Sequence, residues 1–165
     1  MKRIFSILIP CVLLLSGCGS QVQPAAPANF YYVRNEFLYH EEYGAIAPEV
    51  RETCNCGDLT ELVRTYISGP ETYDLQSPFP LGTQVIRVST AEDTICVEMN
   101  AVYATLTGYE LTIANACLAK TLLDCAKASS VQISAENSTL GGAAQITMTA
   151  NSLLLWDFPH DKTGG

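Results

Sequence analysis

The sequence predicts an α+β domain: a small mixed or antiparallel sheet with two helices packed on one face. Two segments carry apolar residues at helical spacing, and several shorter segments carry them in alternation, as in half-buried strands. Strands and helices follow one another in mixed order, with two strands close enough for a hairpin. The length of 165 residues and the 48% hydrophobic content suffice for one domain with a substantial core.

The chain begins with the pattern of an export signal. A basic start precedes an apolar run from Ile4 to Leu15, which ends in Leu15-Ser16-Gly17-Cys18, the pattern at which bacteria lipidate and cleave lipoprotein precursors. We predict a lipoprotein signal peptide over residues 1–17 and lipid attachment at Cys18. The alternatives are a cleaved secretory signal or a membrane-spanning anchor. A spanning helix needs about 20 apolar residues, and this run is shorter and broken by Pro10.

Composition and charge limit the partners of the mature chain. The chain has 9 basic and 17 acidic residues, and removal of the signal leaves 7 basic residues against 17 acidic ones, which changes the net charge from −8 to −10. Such a chain has no electrostatic attraction to nucleic acid and is repelled by anionic lipid headgroups. We therefore predict attachment to the extracytoplasmic face of the cell membrane, with the bilayer contacted through the lipid on Cys18.

The predicted domain organisation places a linker before the domain. Residues 18–28 contain an uncharged Pro- and Ala-rich stretch that is typical of a semi-extended linker. The domain is predicted over residues 29–150, and residues 151–165 are predicted as a C-terminal tail. The first elements of the domain are an aromatic strand, a returning strand, and a loop leading into a helix start or an extended piece: Asn29–Val33, Phe37–Tyr39 and His40–Glu52.

The clearest predicted element is a helix from Asp58 to Ser68. Asp58 can accept hydrogen bonds from the first turn, and Glu61 three residues later completes a capping box. Gly69-Pro70 ends this helix, since glycine relaxes the C-terminal backbone and proline cannot continue it. The apolar side chains of the helix share one face: Leu59, Leu62, Val63, Tyr66 and Ile67.

A loop is predicted from Glu71 to Gly82. Pro78 and Pro80 restrict the backbone on either side of Phe79, so that the aromatic ring is held in place. We predict that Phe79 fills the edge of the core. The alternative is that the ring is presented to a partner.

In the second half of the domain, the sequence predicts four strands and the main helix. The helix, from Glu110 to Ala126, has an apolar stripe along its length. The other predicted elements are the hairpin strands Gln84–Val88 and Thr94–Met99, the strands Ser130–Ala135 and Gln145–Thr149, and the turns Ser89–Asp93 and Glu136–Gly142.

Five cysteines lie outside the signal and the lipidation site. An odd number cannot all pair within one chain, and we expect buried thiols that behave as small apolar groups. Cys54-Asn55-Cys56 could alternatively ligate a metal or act in redox chemistry, but zinc sites use a wider spacing and two further ligands. The five residues are Cys54, Cys56, Cys96, Cys117 and Cys125.

The sequence lacks the common catalytic motifs, including G-x-S-x-G, H-E-x-x-H, the P-loop and G-x-G-x-x-G. His40 adjoins Glu41 and Glu42, but acid–base catalysis needs convergent geometry, which adjacency does not provide. Asp157 and Asp161 make only a weak calcium site. We predict no enzyme activity, and no catalytic, cofactor or metal site. Eight tyrosines leave open an aromatic surface for glycan or partner contact.

Three motifs taken together resemble the GerMN domain family: Gly69-Pro70 after a helix, then Ser77-Pro78-Phe79-Pro80, then Gly82-Thr83. The aromatic strand, Pro48–Glu52, the hairpin, the alanine-rich helix and Ser130–Ile133 fit the rest of the family, so that the resemblance extends from about Asn29 to Ala135.

This resemblance implies a non-enzymatic envelope domain, often on a lipoprotein of spore-forming and related Gram-positive bacteria, with relatives needed in sporulation or germination. It also implies a fold resembling the ring-building modules of secretion-type assemblies. We therefore predict a protein-interaction or scaffold module with an envelope protein or peptidoglycan as partner. The alternative is a solute- or glycan-binding surface lipoprotein.

Overall fold

The structure, a computed structural model, describes residues 26–35, 44–54, 56–126 and 128–153. It has the predicted α+β class. The strands of these residues form a three-stranded sheet in the order β2-β1-β3 and a four-stranded sheet in the order β4-β5-β6-β7. The strands are β1 (Ala26–Arg34), β2 (Ile46–Cys54), β3 (Leu75–Gln76), β4 (Val85–Ala91), β5 (Thr94–Met99), β6 (Ser130–Ala135) and β7 (Gln145–Thr149). The helices are α1 (Leu59–Ile67), α2 (Gly108–Cys125) and α3 (Ala150–Leu153), with a 3-10 turn over Tyr103–Thr105.

The first sheet is built on the aromatic strand β1, which begins at Ala26 rather than at the predicted Asn29. Its side chains Phe30 and Tyr32 are fully buried. β2 pairs antiparallel with β1 over almost its full length. Over His40–Glu52 the sequence predicts a loop followed by either a helix start or an extended piece. The second part of this segment belongs to β2 and is therefore extended. The predicted strand Phe37–Tyr39 lies outside the described residues.

Helix α1 forms where its capping signals predict it. The Asp58 carboxylate accepts from the backbone N–H groups of Thr60 and Glu61 at 3.0 and 3.1 Å, which satisfies donors of the first turn that have no partner within the helix. At the other end, Ser68 caps the helix and Gly69 follows with φ of +100°. The buried face of α1 presents Leu62, Val63 and Tyr66 to the core.

The second sheet is mixed. β4 and β5 form the predicted antiparallel hairpin, but β4 continues to Ala91 rather than ending at Val88, so the turn is shorter than the predicted Ser89–Asp93. β6 pairs antiparallel with β7. β5 and β6 are parallel. Parallel neighbours require a long crossover connection, and the segment between these two strands contains the 3-10 turn and α2. β5, β6 and β7 have the predicted bounds.

Helix α2 contacts β1 of the first sheet and β6 and β7 of the second. It is therefore buried over most of its circumference rather than along one stripe. Small side chains allow this close approach on several sides, and Ala114, Ala116 and Ala119 are buried. The strands thus divide between two sheets that share a central helix. None of the helices in the described part of the chain is long and apolar enough to cross a bilayer.

Candidate interaction surface

Most of the polar residues considered as sites fall outside the described residues. This holds for the lipid-attachment residue Cys18, for His40, and for Asp157 and Asp161. Within the described ranges, no group of three or more His, Cys, Asp or Glu side chains is placed to hold a metal ion. Lipid attachment at Cys18 therefore stays a prediction.

The cysteines are distributed over several elements. Cys54 ends β2, and Cys56 follows it in a half-buried position. Cys96 of β5 is half-buried and its thiol donates to Gln132 Oε1 at 3.5 Å. Cys117 is buried in α2, and Cys125 at the end of this helix is half-buried.

The tyrosines mostly belong to the core. Tyr32, Tyr66 and Tyr103 are fully buried, and burial raises the pKa of each of these phenols above the ordinary value of 10. Tyr73 is 94% exposed and Tyr109 is about half exposed. An aromatic surface, as far as the described residues go, is therefore limited to these two side chains.

The loop Glu71–Gly82, here called the anchored loop, is fixed at its start by a buried carboxylate. Glu49 of β2 is 7% exposed, and its Oε2 accepts from the backbone N–H groups of Glu71 and Thr72 at 2.8 and 2.7 Å. Burial alone would raise the pKa of Glu49. The hydrogen bonds from Thr72, Arg51 and Glu71 outweigh burial and lower the pKa below 4.5.

Arg51 completes this attachment. It lies two positions from Glu49 on β2, hence on the same face of the strand. Its guanidinium donates to Glu49 Oε1 at 2.6 Å, to Glu71 Oε1 at 2.9 Å and to the carbonyl of Gly69 at 3.0 Å. It also lies 5.2 Å from the ring centroid of Phe30. One side chain thus joins the sheet, the end of α1 and the start of the anchored loop.

Phe79 holds the middle of the anchored loop in the core, as predicted. It is 9% exposed. Its ring packs edge-on against Tyr66 with a centroid distance of 5.2 Å, and lies 6.0 Å from the ring of Tyr103. Ser77 Oγ accepts from the backbone N–H of Phe79 at 3.2 Å. The core-filling interpretation is therefore the one that the structure supports.

A third attachment fixes the end of the anchored loop. The Asn100 side chain, just after β5, donates to the carbonyl of Gly82 at 2.9 Å and accepts from the backbone N–H of Gln84 at 3.1 Å. Gly82 has φ of +90°, a backbone conformation that other residues rarely adopt. The sharp turn and the amide clamp together set the direction in which the chain enters β4.

Two large side chains of the anchored loop face the solvent. Tyr73 is 94% exposed and Leu81 is fully exposed. Single exposed apolar residues are common on protein surfaces, but these two are carried by a backbone held at its start, middle and end. A partner that covers them would order little additional backbone, so less of the contact energy would be lost to conformational entropy.

A groove adjoins the end of the anchored loop, between α1 and β4. It has a volume of about 310 Å³ and is lined by Arg64, Ile67, Thr83, Gln84 and Val85. Thr83 is 5% exposed, and within the described part of the chain its hydroxyl has no hydrogen-bond partner. This α1–β4 groove offers a cation, an amide and apolar surface, and its lining residue Thr83 lies two residues after Leu81 in the sequence.

A second, more open groove lies at the end of the four-stranded sheet. Its volume is about 780 Å³. Its lining is small and uncharged, with hydroxyl and amide groups but no aromatic ring: Ala101, Ala104, Thr105, Ala135, Asn137, Ser138 and Thr139.

The sequence indicated the anchored loop but not what anchors it. Proline on both sides of Phe79 was visible in the sequence, whereas Glu49 and Asn100 act over 22 and 18 residues of sequence separation on Glu71 and Gly82. One local signal was available for Glu49. Glu49 and Arg51 lie two positions apart in a segment with an extended alternative, and in an extended strand side chains at this spacing lie on the same face.

Comparison with known proteins places this geometry in a family context. The sequence model of the Germane family, described as "Sporulation and spore germination", matches residues 29–141. This match includes the anchored loop and every residue that lines the two grooves. No curated protein matches the chain significantly.

Two solved structures have a similar fold. The tandem GerMN domains of the sporulation protein GerM from Bacillus subtilis match with a TM-score of 0.59 and 16% identity, over 76% of this chain and 46% of that chain. This chain thus spans less than half of the tandem structure. The first GerMN domain of the same protein matches with a TM-score of 0.54 and 9% identity, over 82% of this chain and 98% of that chain. At these identities the similarity concerns the fold.

Proposed function

Because this chain belongs to the Germane family of sporulation and spore germination domains, we propose that it is a non-catalytic protein-interaction module acting in one of these processes at the cell envelope. The observation that supports this most directly is the anchored loop. It carries Tyr73 and Leu81 in exposed positions while Glu49, Phe79 and Asn100 hold its backbone. Exposed apolar groups on a preorganised backbone favour binding to another macromolecule.

We further propose that the domain is held at the extracytoplasmic face of the membrane by lipid on Cys18. The Leu15-Ser16-Gly17-Cys18 pattern supports this, as does the acidic composition, which gives the polypeptide itself no attraction to anionic headgroups. Residence on the membrane would confine the anchored loop to a thin layer next to envelope partners and raise their effective concentration.

The experiment is affinity capture from detergent-solubilised membranes of the host during growth and sporulation. The tagged full-length chain is compared with the double variant Tyr73→Ser, Leu81→Ser. The matched control is Val50→Ser, which removes a 57% exposed apolar side chain from β2 rather than from the anchored loop. We expect the wild type and the control to recover the same envelope protein and the double variant to lose it.

Recovery of the same protein by all three chains would show that the anchored loop is not the contact surface. A second arm tests the anchor with Cys18→Ala in a deletion strain scored for spore yield and envelope integrity. Full complementation by a Cys18→Ala chain exported in soluble form would contradict the proposed role of lipid attachment.

A solute- or glycan-binding role is the second candidate, and the open groove of about 780 Å³ favours it. This volume suits a small ligand, and the hydroxyl and amide groups of Thr105, Asn137, Ser138 and Thr139 suit a neutral, hydroxyl-rich one. The discriminating measurement is binding of wall glycan fragments to the wild type and to Asn137→Ala. Binding that Asn137→Ala weakens and Leu81→Ser leaves unchanged would favour this second role.

A further inference from the structure

Among the residues that the structure describes, three of the four sheet edges carry features that prevent pairing with another strand. β2 contains exposed Pro48 together with the charged residues Glu49, Arg51 and Glu52. β3 is only two residues long. β4 has one extra residue, Ile86, opposite β5, which forms a bulge, and next to it the exposed Arg87. Prolines, charges, bulges and short length are the usual protections of an edge strand.

β7, the fourth edge, has none of these features. Its sequence Gln145-Ile146-Thr147-Met148-Thr149 contains no charge and no proline, and its register with β6 is regular. In the part of the chain that the structure describes, β6 is its only strand neighbour. The outer flank of β7 is therefore able to accept a further strand.

The stretch of sequence that contains β7 is also uncharged. The stretch from Asn137 to Trp156 contains no Asp, Glu, Lys or Arg, although the chain as a whole has a net charge of −8. Two copies of so acidic a chain repel each other electrostatically. At the β7 edge they can approach without placing like charges opposite each other on the pairing strands.

The side chains of β7 are suited to pairing with their own copy. Ile146 and Met148 are half-buried against the core, while Gln145 and Thr147 are exposed. In an antiparallel pair centred on Thr147, each Ile146 lies opposite Met148 of the other copy, and each Gln145 opposite Thr149. Such a pair continues the inner apolar face and the outer polar face across the boundary between the two copies.

We propose that β7 is a self-association edge, at which two copies of this chain pair antiparallel about a two-fold axis at Thr147. The two four-stranded sheets then form one eight-stranded sheet. Because one pair of short strands buries less surface than a standard interface, we expect dissociation constants above about 1 µM. Pairing would therefore be measured best at the high local concentration on a membrane.

The test uses the full-length chain as the cell processes it, co-expressed with two different tags. A photo-crosslinking residue replaces Gln145 in one set of chains and Thr90, an exposed position near the end of β4, in the control set. We expect ultraviolet light to join the two tags in one band from position 145 and not from position 90. No joined band, crosslinking to a foreign protein, or crosslinking only within one chain would overturn the proposal.

A charge-reversal experiment separates pairing from misfolding. Thr147 faces its own copy in the proposed pair, so Thr147→Lys on both copies, or Thr147→Glu on both, places like charges together and should reduce the joined band at least tenfold. Co-expression of Thr147→Lys with Thr147→Glu should restore it. Loss of folding cannot be restored in this way. The same changes at Thr90 should leave the band unchanged, and failure of the mixed pair to restore it would contradict the two-fold axis at Thr147.

Discussion

Phe79 and Leu81 stand two residues apart in the anchored loop and have opposite environments. Phe79 is 9% exposed and packs against Tyr66 and Tyr103, whereas Leu81 is fully exposed. Proline on both sides restricts the backbone at Phe79, so burying its ring determines which way the neighbouring residues point. One buried side chain thus stabilises the domain and orients an exposed one for contact.

The first prediction compares these two residues. Phe79→Ala should lower the free energy of unfolding by about 3 kcal/mol, because it removes a buried ring and leaves a cavity among aromatic neighbours. Leu81→Ala, at an exposed position, should change it by no more than about 0.5 kcal/mol. Urea unfolding followed by tyrosine fluorescence measures both values. Equal small effects would show that Phe79 does not hold the loop.

The second prediction concerns Glu49 and pH. Its pKa lies below the usual value of 4.5 in the folded protein, so the ionised carboxylate stabilises the fold above about pH 4.5, and this contribution is lost as the pH falls through the lowered pKa. Glu49→Gln should therefore cost about 3 kcal/mol at pH 7, because it leaves Arg51 without its buried partner.

The difference between wild type and Glu49→Gln should shrink as the pH falls below 4.5 and through the lowered pKa of Glu49, since the wild-type carboxylate then becomes neutral. Urea unfolding at a series of pH values measures this convergence. Glu98→Gln is the matched control, because Glu98 pairs with Arg87 at 3.0 Å in a more exposed position. A constant difference from pH 7 to pH 3 would show that the charge of Glu49 does not contribute to stability.

At the scale of the elements, the accuracy of sequence-based prediction follows the range of the interactions involved. The bounds of β5, β6 and β7 were predictable because alternation of apolar residues is a local pattern. The ends of α1 were predictable because Asp58 and Gly69-Pro70 act within one turn. β2 was predicted only as one of two alternatives, because its extended form depends on pairing with β1.

The division into two sheets depends on long-range packing in the same way. Helix α2 shows an amphipathic pattern in the sequence, yet Asn115 and Thr121 on its polar positions are buried. Asn115 Oδ1 accepts from the Tyr103 hydroxyl at 2.8 Å, and Thr121 Oγ1 accepts from the backbone N–H of Tyr31 at 3.0 Å. These contacts attach α2 to the 3-10 turn and to the first sheet, and no local pattern encodes them.

The third prediction tests the attachment of α2 to β1. Thr121→Val keeps the shape of the side chain but removes the acceptor for the Tyr31 N–H, and a buried donor without its partner costs about 2 kcal/mol. Thr112→Val is the control, because the Thr112 hydroxyl donates to Gly108 within the same helix near its start. Thermal unfolding should show a drop in Tm for Thr121→Val and little change for Thr112→Val.

Equal stability of the two variants would mean that the Tyr31 N–H finds another acceptor. Amide hydrogen exchange distinguishes this case. Protection at Tyr31 should fall in Thr121→Val and stay high in Thr112→Val if the hydroxyl is the acceptor that joins the helix to the sheet.

At the scale of the whole molecule, the two proposed contact regions belong to different sheets. The anchored loop contains β3 and is fixed by Glu49 of β2, both in the three-stranded sheet, whereas β7 is an edge of the four-stranded sheet. Partner binding and self-association would therefore use separate elements. Charge differs between these regions as well, since Glu49, Arg51 and Glu71 meet at the loop, whereas β7 contains no charged residue.

The last prediction follows from the charge of the whole chain and concerns the proposed attachment to membranes through lipid on Cys18. After removal of residues 1–17, 17 acidic residues remain against 7 basic ones. The polypeptide is therefore repelled by anionic headgroups, and lowering the salt lengthens the range of this repulsion.

The processed, lipidated chain should bind neutral and anionic vesicles alike, because acyl chains supply the binding energy. A Cys18→Ala chain beginning at residue 18 should bind neither, with the least binding to phosphatidylglycerol vesicles at low salt. Co-sedimentation at 20 and 200 mM salt measures this order, and stronger binding of the unlipidated chain to anionic vesicles at low salt would reveal a basic surface that governs attachment in place of the lipid.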